Sequence, residues 1–542
     1  MAKIYTAPRD ENTYFSLADK KLNSGDFLGA LLVTDTIKSL PSYDRLNLYA
    51  LRARIYYKMK QYARSAEEWF NYLANTKNEK FYGRAYNGLG ACFYKMQDIN
   101  VAGYYFNRQI VSNKKAIYEY SEITAEFYQD VLATDKNYYL AYPFDKADFT
   151  NLLEKAEDLL RTSEYDECLS LLKTVPENSK FYANALISSS IAKYFKGDIS
   201  GAVEDIEKSV ALEVKPVSVC NAISMFHSLK NEEKVSYYVE ILKTLDISIE
   251  EDIYKVSMVY AEKGLHQTAV GFAEKYLKLN PYDTSMLLIY GIMNCNLKKY
   301  DRAEYAFSKV YKINRSYIAK NYLDKLGNMD ENLEYSFDLP INDRVALVKR
   351  LGELMKGDSA ERLDKEEEIY RISSYVFSTG AYQMQSSILT LLGELATEKS
   401  VDIMKKMLLS LNVFDRVKSG VIGFLVASNV EGEISACFGN IFRKITLYSA
   451  DIEGKDFIEA YAYLIAKLAP VEKDLMPLKL SAENLYQKAK SLNLGEIEKV
   501  KALSAVIYEL SSISKIRSRR EFSKFFDASL KDIKKLKEIF QN

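Results

Sequence analysis

The chain has 542 residues, of which 48% are hydrophobic and 27% charged, and its 74 basic side chains balance 74 acidic ones. This is the balance of an ordinary soluble protein, and zero net charge gives no overall field that would favour nucleic acid or a membrane surface. Only 22 glycines and 9 prolines interrupt the sequence. Because strand-rich folds need many turn residues, so few of them favour helices joined by short turns.

The first residues, MAKIYTAPRDENTYF, lack the apolar stretch that a signal peptide needs, and no run approaches 18 apolar residues. We therefore expect neither a signal peptide nor a membrane span, and a cytoplasmic location. The cysteines lie far apart inside helical patterns, which favours reduced, buried thiols over structural disulfides. They are Cys92, Cys168, Cys220, Cys295 and Cys437.

A pattern of small and aromatic residues then recurs about every 34 residues. Around Gly90, Tyr86 and Phe93 stand four before and three after, and Ala102 and Phe106 follow at twelve and sixteen. Eight small or apolar anchors share this pattern: Ala18, Ala53, Gly90, Ala156, Ser190, Ile223, Ser257 and Gly291. The distance in sequence from the anchor at 90 to the anchor at 156 is about twice the distance between the other neighbouring anchors. One degenerate repeat is therefore expected near residues 117–142, which makes about nine in all.

Each repeat is predicted to form two antiparallel helices. Small residues at the anchor and twelve positions later let the helices approach, and aromatic rings fill the space around them. The turns SGDF (24–27) and KGDI (196–199) place glycine at the end of the first helix and aspartate as the cap of the second. Pro281 in LNPYD closes one repeat, since a helix cannot continue through it.

The pattern aromatic-x2-Leu-Gly-x2-aromatic, followed by Ala-x3-Phe, resembles the tetratricopeptide repeat (TPR). Its clearest copies span residues 86–110 and 253–312, and the resemblance covers roughly residues 12–314. It implies an all-α fold in which helix pairs stack into a right-handed solenoid. Residues 1–327 are the predicted solenoid domain.

The repeat pattern stops after residue 314. Residues 328–343 are acidic, contain Pro340, and are predicted to form a linker. Beyond it, SSILTLLGELAT (386–397) and SGVIGFLVASNV (419–430) align at an offset of 33 residues, and FDRVK (414–418) precedes the second copy. An Asp-x-Val-Lys motif entering a second helix resembles the HEAT repeat, so residues 344–430 are predicted to be HEAT-like. A generic helical bundle is the alternative.

Residues 431–542 form the last predicted domain, with four or five more helices. Its tail, 514–542, holds nine basic and four acidic residues, and apolar residues recur there at helical spacing. The preferred interpretation is a capping helix with a solvated basic face. The alternative is a docking surface for an acidic partner, RNA or anionic lipid, with Arg517, Arg519 and Arg520 as the nucleic-acid contacts.

No motif for catalysis is present. His227 and His266 each lack a second His or Cys three or four residues away, so no metal site is predicted. There is no phosphate-binding G-x-x-x-x-G-K-[ST] motif, and Gly88-x-Gly90 lacks the third glycine of a dinucleotide loop because Phe93 stands there. The sequence thus predicts no catalytic residue, cofactor or metal.

Stacked repeats leave a concave face open, which suits a non-catalytic scaffold or adaptor that binds protein. The alternative is a regulator that couples peptide binding in the repeats to nucleic acid through the basic tail. The least favoured interpretation is an enzyme with its site in the C-terminal third.

The predicted binding face lies beside the anchor row, because the next residue along a helix is turned by about 100°. It presents cations and tyrosines that suit an acidic or carboxylate-bearing segment. This resembles the carboxylate-clamp form of the family in kind only: Asn87 falls in place, but Gly88 stands where that form has Asn. Ordinary solvated side chains are the alternative interpretation. The predicted residues are Arg54, Tyr57, Lys58, Arg84, Asn87, Tyr94 and Lys95.

Overall fold

The computed structural model describes residues 10–112, 149–328, 333–379, 382–472, 474–514 and 519–541. Contacts divide the chain into a repeat body (residues 1–69 and 78–345) and a second body (residues 70–77 and 346–542). The expected degenerate repeat, 117–142, lies outside the described residues.

The described part of the repeat body is built of α-helices joined by short turns. Its helices are α1 (Glu11–Asn23), α2 (Phe27–Lys38), α3 (Arg45–Lys58), α4 (Tyr62–Asn75, ending in the second body), α5 (Tyr82–Lys95), α6 (Ile99–Ser112), α7 (Thr150–Arg161), α8 (Tyr165–Leu172), α9 (Tyr182–Lys196), α10 (Ile199–Leu212), α11 (Pro216–Ser228), α12 (Glu232–Thr244), α13 (Glu250–Glu262), α14 (His266–Leu279), α15 (Thr284–Asn296), α16 (Tyr300–Asn314), α17 (Tyr317–Lys325) and the start of α18 (Ile341–Lys356). Helices that are consecutive in the sequence pack against each other, as α5 does with α6 and α15 with α16. This arrangement of helix pairs is a helical-repeat solenoid.

The anchors and the residues sixteen positions later meet as predicted. A Cβ added to Gly90 would lie 2.6 Å from the Phe106 ring, and one added to Gly291 would lie 2.4 Å from the Phe307 ring. The twelve-residue spacing is also confirmed, because the Ser65 hydroxyl donates to the carbonyl of Ala53 at 2.7 Å. The first and second helices of a repeat therefore touch through these positions, in a TPR-like register.

The predicted turn chemistry is confirmed at both Gly-Asp sites. Gly25 and Gly197 adopt positive φ angles of 82° and 86° after the first helix. The Asp26 and Asp198 carboxylates then accept hydrogen bonds from backbone N–H groups in the first turn of the next helix, at 2.9 and 3.0 Å. Each turn thus ends one helix and starts its partner.

The first repeats also pack against the last ones. Leu48, Leu51 and Ile55 of α3 share one buried cluster with Leu287 of α15 and Val310 of α16. The Tyr56 hydroxyl reaches the carbonyl of Ile313, 257 residues away, at 3.3 Å. Asp35 of α2 joins this contact by pairing with both Arg52 (3.0 Å) and Arg315 (2.7 Å). The two ends of the array are therefore joined.

The described residues of the second body form the rest of α18 and ten further helices. They are α19 (Ser359–Asp364), α20 (Glu366–Thr379), α21 (Tyr382–Leu395), α22 (Glu398–Met407), α23 (Asp415–Ala427), α24 (Lys455–Leu468), α25 (Met476–Ser491), α26 (Val500–Glu509), α27 (Arg519–Phe526) and α28 (Leu530–Gln541). The two aligned segments fall on α21 and α23, which pack together, with Phe424 occupying the space beside Gly393. Whether this region is a HEAT array stays a prediction.

Residues 432–447 form a β-hairpin where only helices were predicted. Strands β1 (Gly432–Phe438) and β2 (Ile441–Leu447) pair in antiparallel register around a Gly439-Asn440 turn. Both turn residues have positive φ, 52° and 62°, as the tight turns of hairpins require. The buried Lys418 amine donates to the Cys437 carbonyl at 2.8 Å. The FDRVK motif thus supports this hairpin.

Helix α28 is docked on the second body. Ile533 and Phe540 of α28 are buried. The Lys488 amine donates to the Phe540 carbonyl at 2.6 Å, and Lys537 pairs with Glu509 at 2.5 Å. These contacts fit the preferred interpretation of the tail as a capping helix.

Candidate functional site

The first helices of successive repeats lie side by side at the start of the chain. Helix α3 contacts both α1 and α5. Asp19 and Arg54 each follow their anchor by one residue, and their side chains form an ion pair at 3.3 Å. Residues at matching positions in neighbouring repeats therefore face each other. We call the positions predicted as the binding face, −6, −3, +1, +4 and +5 from the anchor, the groove row.

The charged members of the groove row reach solvent. Lys58 and Arg84 are exposed, and Arg54 and Lys95 are partly buried. The Arg84 guanidinium also stands 5.9 Å from the centre of the Trp69 ring, and an aromatic face in that position holds a cation in place. Arg54 forms an ion pair with Asp19, so an anionic ligand would have to compete with that carboxylate.

Two predicted members are enclosed instead. Tyr57 is 4% exposed and packs edge-to-face on Tyr62, with ring centres 5.2 Å apart. Asn87 is 3% exposed, and its amide donates to Gln109 of the second helix at 2.9 Å. Both side chains connect the two helices of their own repeats. Tyr94 is partly buried, so the exposed part of the row in the second and third repeats is mainly cationic.

In the last repeat the groove row holds a peptide backbone. Asn296 stands five residues after Gly291, the position that Lys58 and Lys95 occupy in their repeats. Its amide nitrogen donates to the Leu333 carbonyl at 2.9 Å, and its amide oxygen accepts from the Leu333 N–H at 2.6 Å. Residues 333–343 of the predicted linker, the last three of which already belong to α18, are therefore attached to the repeats. We call them the acidic segment.

Further contacts fix the acidic segment after this clamp. The Tyr335 hydroxyl forms a hydrogen bond of 2.5 Å with Nδ1 of His266, at the start of α14. The Tyr322 hydroxyl of α17 donates to the Asp338 carbonyl at 3.4 Å, and Leu339 is only 2% exposed. Burial raises the pKa of Tyr335 to about 12 and lowers the pKa of His266, so both groups stay neutral near pH 7.

Asn296, His266 and Tyr335 were not among the predicted site residues. The signal that could have found Asn296 was available, since extending the +5 position from Lys58 and Lys95 to the last repeat leads to it. The sequence around His266 indicates no partner for its ring. Its partner, Tyr335, lies in a segment whose sequence indicates only a linker.

A cavity of about 500 Å³ lies on the side of the second helices, between α14, α15 and α16. Glu274 accepts hydrogen bonds there from the Tyr290 hydroxyl and the Arg302 guanidinium, both at 3.0 Å. Lys309 lies 5.6 Å from the exposed Tyr305 ring. The Glu274 carboxylate and the Arg302 guanidinium that line this cavity are thus already paired with each other.

Nothing in the described ranges points to metal or thiol chemistry. No group of three or more His, Cys, Asp or Glu among them is placed to hold a metal ion. All five cysteines are buried and none is in a disulfide, and burial raises the pKa of Cys92, Cys220 and Cys295 to about 12. No helix within the same ranges is long and apolar enough to cross a membrane.

The proposed nucleic-acid contacts of the tail are only partly described. Arg517 lies outside the described residues, and only the backbone of Arg519 and Arg520 is described, at the start of α27. That alternative stays a prediction.

Comparison with known proteins identifies no family. No family model matches the sequence, and no curated protein matches it. Among solved structures, the crystal structure of yeast Tom70 aligns over 98% of this chain and 96% of its own, with 13% identity and a TM-score of 0.21. That TM-score is too low for the likeness to bear on the fold or the function of this chain.

Proposed function

We propose that this protein is a non-catalytic scaffold or adaptor that binds the acidic, extended segment of a partner protein along the groove row. The observation that carries the proposal is the Asp19–Arg54 pair, which joins matching positions 35 residues apart. With that alignment, Lys58 and Lys95 occupy the same position in adjacent repeats. Cations repeated at this spacing suit a chain that carries several carboxylates.

The last repeat supports the same mode of binding. Asn296, at the position equivalent to Lys58 and Lys95, already holds an extended backbone through two hydrogen bonds. An amide in this position recognises the peptide unit itself, whereas a lysine adds selectivity for negative charge. A partner would thus be selected by its acids over the second and third repeats.

The test is selection of a random displayed peptide library on the full-length chain, followed by affinity measurements with one labelled acidic peptide. Lys58→Glu with Lys95→Glu is expected to weaken binding at least tenfold, about 1.4 kcal/mol. Lys278→Glu with Lys312→Glu changes the net charge equally at two exposed lysines of second helices and serves as the matched control. The control variant should bind like wild type.

Asp19→Asn provides a test of opposite sign. It removes the carboxylate that competes for Arg54, so an acidic peptide should bind several-fold more tightly, and the gain should shrink as salt rises. Selected peptides without acidic residues, or equal affinities for the Lys58/Lys95 variant and its control, would refute the proposed binding face.

A further inference from the structure

We infer that residues 333–339 are an intramolecular ligand that occupies a recognition site for an extended peptide, formed by Asn296, His266 and Tyr322. The site recognises a backbone unit at Asn296 and, two residues later, a tyrosine that reaches His266. A partner with this chemistry must displace the chain's own segment. The inference rests on the proposed function only in taking the groove row as a surface for extended segments.

The first argument is the kind of contact at Asn296. Its amide makes both hydrogen bonds to the N–H and the carbonyl of a single residue, Leu333. These bonds use no feature of the leucine side chain, which is partly buried. A clamp of this type accepts the backbone of any residue except proline, since proline has no N–H to donate. The same clamp would therefore hold a partner's backbone equally well.

The second argument is that specificity comes from Tyr335. Its ring centre lies 5.7 Å from that of His266, its hydroxyl meets Nδ1 of that ring, and burial keeps the phenol neutral. By contrast, Phe337, two residues further on, is 47% exposed. Tyr335 is thus the residue of the segment whose side-chain polar group meets a partner in the repeats, with the Asn296 clamp before it and the Tyr322–Asp338 contact and buried Leu339 after it.

The third argument is that the segment is irregular and is tethered to the site that it occupies. Residues 333–336 belong to no helix or strand, and they are part of the same chain as the site that they occupy. A tethered segment competes at an effective concentration of about 1 mM. If a free copy has an intrinsic Kd of about 10 µM, the tethered copy raises its apparent Kd about a hundredfold. Occupancy in cis would therefore hold the site closed against weak ligands.

The experiment measures binding of a labelled peptide of residues 331–341 to the full-length chain by fluorescence polarisation. Wild type should bind it weakly. Leu333→Pro removes the N–H that donates to the Asn296 amide oxygen, and Tyr335→Ala removes the side chain that meets His266. Each variant should lower the apparent Kd at least tenfold, while Phe337→Ala on the same segment should leave it unchanged.

Two further measurements test whether the peptide binds at Asn296 and through its tyrosine. Asn296→Leu added to Tyr335→Ala should return the apparent Kd to a weak value, and a peptide in which alanine replaces the tyrosine should bind no variant. Circular dichroism should confirm that each variant keeps its helix content, and the use of two separate opening variants covers the failure of one of them to fold.

The inference is overturned if neither opening variant binds the peptide more tightly than wild type, or if Asn296→Leu leaves the tight binding intact. Neither result affects the test at Lys58 and Lys95. If acidic peptides need Lys58 and Lys95 for binding but the opening variants bind the 331–341 peptide no better than wild type, the proposed function stands and this inference alone is rejected.

Discussion

Replacing Gly291 by alanine tests the contact that defines the repeat. The new methyl carbon would lie 2.4 Å from Cε1 of Phe307 and 2.7 Å from its Cζ. The ring has no room to withdraw, because Phe307 is fully buried and stacks on Tyr322 with ring centres 4.9 Å apart. Overpacking of this kind costs about 1–3 kcal/mol.

A second effect works in the opposite direction. Alanine favours the helix over glycine by about 1 kcal/mol. Gly271, in the middle of α14, isolates this gain, because nothing lies within 4 Å of a Cβ added there. Gly271→Ala should therefore raise the free energy of unfolding by about 1 kcal/mol. Gly291→Ala shares the helix gain but also has the clash, so it should be about 1–3 kcal/mol less stable than Gly271→Ala.

The assay is equilibrium unfolding in urea followed by circular dichroism. Phe307→Leu gives the double-mutant cycle: with a smaller side chain opposite, Gly291→Ala should lose much of its cost. If Gly291→Ala stabilises the chain as much as Gly271→Ala does, the close approach of α15 and α16 at this anchor does not exist.

Further tests address the core and the thiols. Ala102→Leu and Ala269→Leu should each lower stability by about 1–3 kcal/mol, because both alanines are fully buried, and unchanged thermal unfolding would contradict the register. Arg52→Ala should cost about 3–5 kcal/mol in urea unfolding, because it leaves the buried Glu68 carboxylate, now 2.7 Å from the guanidinium, without its partner; a cost near zero would be inconsistent with that burial. Cys92 has a pKa raised by burial from 9.0 to about 12, so its contribution to stability is complete below pH 9 and is lost as pH rises through 12; Cys92→Ala should flatten the fall in melting temperature over that interval.

The repeat could be predicted from sequence because its signal is local and steric. Gly90 and Phe106 must meet if two helices of fixed length fold back on each other, and the structure places them in contact. The hairpin at 432–447 was missed although its Gly439-Asn440 turn, between two runs rich in apolar residues, is a hairpin signal. Helical periodicity on either side masked it.

Other features had no local signal. The clamp between Asn296 and Leu333 joins residues 37 apart, in a segment whose composition indicates only a linker. The burial of Tyr57 and Asn87 depends on which neighbours cover each row of a helix, and a periodic pattern gives only the direction of a side chain. Charged positions were more predictable, because Lys58 and Arg84 reach solvent as long side chains do.

The join between the two ends of the array limits how this protein can change in evolution. An open solenoid can gain or lose a repeat at small cost, because each repeat touches only its neighbours. Here the Tyr56–Ile313 and Asp35–Arg315 contacts require the first and last repeats to meet at a fixed position. Inserting or deleting one repeat between them would displace both contacts together. The number of repeats in this chain should therefore be inherited unchanged, while single residues along the groove row remain free to vary.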